Sequence, residues 1–172
     1  LVDVFNEIRN DNQGGHKGNN VALLRSTDKG ETWSARIFVD RLLTVFITDP
    51  DTGDPVRTGD IIPEVAADPV SGALYAVWQD ARFSNGQFDS IAFSQSLDGG
   101  LTWSDAIKVN LTPTDVLPGN QQAFTPSVHV AADGTVGVTY YDFRNNTPSP
   151  DTLPTDYFLV HCHPTAPATC TD

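Results

Sequence analysis

Short apolar runs alternate with turn-forming clusters along this chain. Val21-Ala22-Leu23-Leu24 and Ile91-Ala92-Phe93 each lead into an Asp- and Gly-containing stretch. Ala35-Arg36-Ile37-Phe38-Val39 and Ala106-Ile107-Lys108-Val109 lead out of it. The pattern predicts strand, turn, strand, twice over. Three further runs end in an acid, one residue and an arginine: Phe5–Arg9, Trp78–Arg82 and Tyr140–Arg144. Ahead of the second and third run stand similar lead-ins, Pro63–Tyr75 and Pro126–Val136, which turn at Asp68 to Gly72 and at Asp133-Gly134. The repeating unit is therefore strand, Asp/Gly turn, strand ending in acid-x-Arg, loop, strand, turn, strand. A unit of this kind cannot bury its own apolar faces and must stack on copies of itself.

The turn between the last two strands is a repeat in its own right. Ser26-Thr27-Asp28-Lys29-Gly30-Glu31-Thr32-Trp33 returns as Ser96-Leu97-Asp98-Gly99-Gly100-Leu101-Thr102-Trp103. An Asp in such a turn accepts backbone N–H groups, and Gly supplies the positive φ that other residues resist. Trp33 and Trp103 are expected to plug the seams between units. Both copies fit Ser-x-Asp-x-Gly-x-Thr-Trp, which resembles the Asp-box of the sialidase-like (BNR-repeat) β-propellers. The resemblance implies an all-β chain, a propeller segment of about three four-stranded antiparallel blades, two of them incomplete. Residues 1–39 read as a partial blade, 40–60 as a turn-rich connection and 61–110 as a complete blade. Residues 111–123 read as a linker and 124–172 as a partial blade. Propellers close with roughly four to eight blades, so the chain is expected to be part of a longer one, or to pair with a second copy into a ring.

Charge and cysteine content narrow the setting. The formal net charge is −12, built from 19 Asp and 3 Glu against 10 Lys and Arg. Such a surface argues against nucleic acid and anionic membranes as partners, and no apolar run is long enough to span a bilayer. Cys162 and Cys170 stand where the last blade would need its Asp-box. Their pairing would close that loop covalently and places the chain in an oxidising, secreted or extracytoplasmic setting; a rival reading makes His161-Cys162-His163 metal ligands. Asn110-Leu111-Thr112 and Asn145-Asn146-Thr147 are glycosylation acceptors if the source is eukaryotic.

Candidate chemistry follows from the repeats and from the resemblance. In sialidase-like propellers the Asp-boxes face away from substrate, which implies that Arg9, Arg82 and Arg144 lie toward the substrate-bearing face. An arginine cluster suits carboxylate recognition. Each arginine also has an acid two positions earlier (Glu7, Asp80, Asp142), so a structural ion pair in every blade stays open as the second reading. A sialidase needs a Tyr nucleophile with a Glu partner and an acid/base Asp; Tyr140, Tyr141 and Tyr157 are available, Tyr141 beside Asp142 is the one pairing worth testing, and no complete catalytic set is legible. The usual Arg-Ile-Pro motif is replaced by Ile61-Ile62-Pro63. Asp49, Asp51 and Asp54, around Gly53, offer oxygen ligands for Ca²⁺ or form an ordinary turn. Phe83 and Phe88, in the loop after Arg82, can stack on a sugar or cap the blade. The sequence thus favours a non-catalytic module that binds a glycan or small molecule, or serves in assembly; the alternative is part of an exo-α-sialidase-type glycoside hydrolase.

Overall fold

A computed structural model describes residues 1–163 and 169–171. Eleven strands form three antiparallel sheets among the described residues. The first sheet has β1 (Val2–Arg9), β2 (Gly18–Arg25) and β3 (Ile37–Arg41) in that order. The second has β4 (Glu64–Ala67), β5 (Leu74–Asp80), β6 (Ser90–Ser96) and β7 (Ile107–Lys108). The third has β8 (Ala123–Val130), β9 (Val136–Asp142), β10 (Asp156–His163) and β11 (Thr169–Thr171). Each sheet is a meander in which consecutive strands are neighbours.

The stacking order can be derived from side-chain alternation. Every residue of β5 and β6 is buried, because successive residues of a strand point to opposite faces and both faces of this sheet are covered. Leu74, Ala76, Trp78 and Ala92 pack toward the first sheet, against Val21, Leu23, Val39 and Leu42. Tyr75, Val77, Ile91 and Phe93 pack toward the third, against Val128, Val136, Val138, Tyr140 and Val160. The third sheet is covered on one side only. β8 and β9 alternate buried and exposed positions, and its free face carries Tyr141, Tyr157 and Leu159.

The third sheet also contains a strand that the sequence pattern did not mark. β11 pairs with β10 so that Cys162 lies directly opposite Cys170, and the two form a disulfide. A three-residue strand, Thr-Cys-Thr, is too short to carry a hydrophobic period, and it is anchored by the covalent bond together with the packing of Cys170 against the core. The disulfide leaves Cys162 unable to serve as a metal ligand.

Residues 42–60 do more than connect. They run as a strap over the end of the molecule where β5 and β9 terminate. Leu42 is still hydrogen-bonded to Asn19 of the first sheet. The Leu43 and Val45 amides donate to Asp80, the last residue of β5, and to Asp89, just ahead of β6, at 3.2 and 3.0 Å. Thr48 exchanges two bonds with the Gln122 carboxamide (2.9 and 2.8 Å) just ahead of β8. Asp51 then accepts from Asn146 and the Ser149 amide of the β9–β10 loop. Ile47, fully buried, drops into a small core with Phe124 and Phe143.

Candidate functional site

At one end of the stack lie the two octapeptide turns. Ser26 Oγ donates to Asp28 Oδ1 and accepts the Gly30 N–H, both at 2.7 Å, while the Thr32 amide donates to Asp28 at 2.9 Å. Ser96, Asp98, Gly100 and Thr102 repeat the pattern at 2.8, 2.7 and 2.9 Å. Hydrogen bonds to the charged carboxylate favour its ionised form. The Thr32 hydroxyl and amide, with Ser26, accordingly hold the Asp28 carboxyl down to about 2. Thr102 and Ser96 hold Asp98 well below the usual carboxylate range in the same way. These residues are fully engaged in closing turns. Trp103 reaches the seam between the first two sheets as expected. Trp33 does not; it is 44 % exposed.

At the opposite end stand the acid-x-Arg corners. β5 and β9 stop there at Asp80 and Asp142, both with fully buried side chains. Arg82 forks onto Asp80 through Nε and Nη2, each at 2.9 Å. Its Nη1 reaches Asp40 of β3 at 2.6 Å, and Nη2 also donates to the Arg41 carbonyl. Burial by itself would lower the Arg82 guanidinium, but the bonds to Asp80 and Asp40 reverse that, and the net shift is upward. Asp80 accepts the Trp78 indole N–H and the Leu43 amide as well. This corner clamps the first sheet, the second sheet and the strap together. Arg144 repeats the fork on Asp142 at 2.7–3.0 Å, donates to the Tyr140 hydroxyl and lies over the Phe158 ring, 3.5 Å from its centroid. The first triplet departs from this pattern. Arg9 pairs with Asp11 at 2.6 Å, whereas Glu7 pairs with Arg36 at 3.1 Å.

The remaining candidates are dispersed. Tyr141 and Asp142 are consecutive in β9 and point to opposite faces: Asp142 is buried, Tyr141 is 36 % exposed with its ring 4.7 Å from Tyr157. The structure does not bring that pair together. Asp49 accepts the Asp51 and Thr52 amides, Asp54 accepts the Thr52 hydroxyl, and Asp51 turns away to Asn146 and Ser149. Among the described residues no three His, Cys, Asp or Glu side chains converge to hold a metal ion. Asn110, of the first glycosylation sequence, is buried and bonded to Thr112 and the Ile91 amide, whereas Asn145 is exposed.

Two features of this end were at most half signalled in the sequence. Asp89, immediately ahead of β6, is fully buried, and desolvation raises its carboxyl against the opposing bonds from Thr44, Val45 and Gln79. Beside it a notch of about 350 Å³ opens between the strap (Val45, Phe46, Thr48), the β5–β6 loop (Gln87, Phe88) and the turn before β8 (Pro118, Gly119, Gln122). Its walls come from three segments distant in sequence, which is why no local motif announces it.

No protein-family model matches the chain, and no curated protein matches it in sequence. Solved structures do resemble it. A Penicillium chrysogenum α-L-arabinanase complexed with arabinobiose superimposes with a TM-score of 0.52 at 20 % identity, over 99 % of this chain and 44 % of the enzyme. The fold is that of a β-propeller segment. A Fusarium graminearum α-L-arabinofuranosidase (TM-score 0.49, 15 % identity, 94 % of this chain and 40 % of that one) and a leech intramolecular trans-sialidase (0.35, 17 %, 90 % and 29 %) are more distant neighbours. This propeller segment thus spans less than half the length of the arabinanase it matches.

Proposed function

We propose that this chain is a non-catalytic, carbohydrate-binding part of an extracytoplasmic propeller, with its ligand face at the acid-x-Arg end. One observation carries the non-catalytic reading: the arginines expected to seize a substrate carboxylate are already committed. Arg82 is shared between Asp80 and Asp40, and Arg144 is forked onto Asp142. Truncating or diverting either would strand a buried carboxylate, which costs about 3–5 kcal/mol. Their office is to hold blades and loops in register. The carbohydrate reading draws on the fold shared with the arabinanase, an analogy of architecture. The disulfide supports an oxidising setting, and no helix among the described residues is long and apolar enough to cross a membrane.

The free face of the third sheet, with Tyr141, Tyr157 and Leu159 exposed, supports a second part of the proposal: another sheet, from further blades or a second copy, packs there. Light scattering at micromolar concentration tests the second copy; a strict monomer removes that option and leaves further blades.

Binding without turnover is the expected result when the chain is offered arabinobiose, xylobiose and sialyllactose. Saturation-transfer NMR reads the contact and product analysis reads hydrolysis. Release of monosaccharide would sink the non-catalytic reading in favour of a hydrolase part. That second reading has one specific support, a buried Asp89 whose raised carboxyl suits a general acid. Loss of the release in Asp89→Asn would identify it.

A further inference from the structure

We infer that the notch between Phe46 and Phe88 is the carbohydrate subsite itself, and that it takes a neutral sugar rather than a sialic or uronic acid. The inference rests on the carbohydrate reading above and adds the place and the charge of the ligand.

Phe46 is an expensive residue in its position. It sits in the strap at φ 69°, in the left-handed region that bulky L-residues avoid. Its side chain is 59 % exposed, so no core burial offsets the strain. The residues on either side of it are anchored. Ile47 is fully buried, Thr44 and Val45 are tied to Asp89, and Thr48 is tied to Gln122. The amide of Phe46 is itself fixed, donating to the Thr44 hydroxyl at 3.2 Å. The backbone is therefore pinned on both sides of a ring that is held out of the core. Strain that surrounding structure over-determines, at a residue presenting a side chain to solvent, points to function.

The chemistry of the notch selects the ligand. Two phenylalanines line it, with Val45 and Pro118. A ring face carries partial negative charge, which attracts the electron-poor C–H face of a sugar. Gln87 contributes an exposed side-chain amide for hydroxyls. At the floor, Gln122 has its amide donors satisfied by Thr48 and Gly119, so it is a rigid surface and not a free donor. No lining residue is charged. The surroundings are acidic: Asp89 and Asp60 lie about Gln79, and the nearby cation Arg82 is neutralised by Asp80 and Asp40. A carboxylate-bearing sugar would find no guanidinium among the residues that line the notch. The volume is at the small end of small-molecule sites, roughly 300–1,000 Å³, which suits one sugar ring or a short chain end.

The strain supplies a discriminating variant. Glycine adopts φ 69° freely, so Phe46→Gly removes the ring and the strain together. If the ring were structural, this variant would melt earlier. As a ligand platform it should melt at the wild-type temperature or above while losing affinity at least tenfold. The test titrates the full chain and Phe46→Gly with arabinobiose, xylobiose, cellobiose and sialyllactose, by calorimetry and saturation-transfer NMR; Phe88→Ala serves as a second variant. Neutral sugar bound by the wild type and lost in Phe46→Gly, with the melting temperature kept, is the expected result. Equal affinity in both proteins overturns the subsite and leaves the carbohydrate reading standing. Preference for sialyllactose overturns the neutral-ligand assignment. Absence of binding to all four sugars overturns the carbohydrate reading and this subsite with it.

Discussion

The two octapeptide turns share the Ser–Asp, Gly–Ser and Thr–Asp hydrogen bonds, yet they occupy different surroundings. In the first, a methyl group on Gly30 would meet only Leu1 and Trp33 at 3.6 and 3.9 Å. In the second, a methyl on Gly100 would lie 2.9 Å from Leu74 Cδ1 and 3.1 Å from Leu23 Cδ2. Ser26 and Ser96 are both buried, but the tryptophans diverge: Trp33 is largely open, while Trp103 packs against the core shared by the first two sheets. The motif sets the bonding pattern of the turn. What each turn contributes to stability is set by the sheet it lies against.

Glycine replacement should widen that difference most. Gly30 and Gly100 both have positive φ, 96° and 91°, so Ala in either incurs backbone strain. Gly100→Ala adds overpacking between Leu74 and Leu23, for a total on the order of 3–4 kcal/mol. Gly30→Ala should cost about 1–2 kcal/mol. Denaturant titration of both variants checks this, and equal losses would mean that Leu23 and Leu74 simply move aside.

Truncating the tryptophans should give a smaller contrast. Trp103→Ala opens the seam and should cost about 2–3 kcal/mol, below the range for a fully buried ring. Trp33→Ala should stay within about 1 kcal/mol of wild type, given its exposure. A large loss at Trp33 would show that something covers it in solution.

Acid should separate the turns least, since both depend on an ionised carboxylate. Asp28 and Asp98 have folded-state values below their unfolded ones. Their contribution is thus fully present above about pH 4 and is lost as pH falls through the folded values, about 2 for Asp28 and lower for Asp98. Thermal melts between pH 5 and 2 should show a falling limb. Asp28→Asn and Asp98→Asn should each flatten it, the Asp98 change acting at the lower pH. A limb unchanged in the double variant would assign it to other carboxylates.

The turns were legible in the sequence because all their chemistry lies within eight residues. The Cys162–Cys170 bond was legible for a similar reason, and so was the pairing of Arg82 and Arg144 with the acid two positions earlier. Arg9 broke that pattern. Glu7 has a longer side chain than Asp and reaches Arg36, while Asp11, two residues further on, takes the arginine instead. The candidate subsite was only half visible. Phe88 stood out in a loop after a strand, but Phe46 and Gln122 meet it through contacts between segments more than thirty residues apart in the chain. Asp89 reads as one more surface acid among many until the strap is laid across it.

That strap has a consequence for how the molecule comes apart. A stack of repeats normally couples each unit only to its neighbours, so its end units can fray independently. Here residues 42–60 continue from β3 and are stitched to the first, second and third sheets in turn. The first and third sheets, which the second sheet separates, are thereby joined by a tether of hydrogen bonds and a buried isoleucine. Opening either end must loosen the same segment. The chain should melt in one transition, and a single backbone cleavage at the exposed turn around Thr52 and Gly53 should split that transition into two.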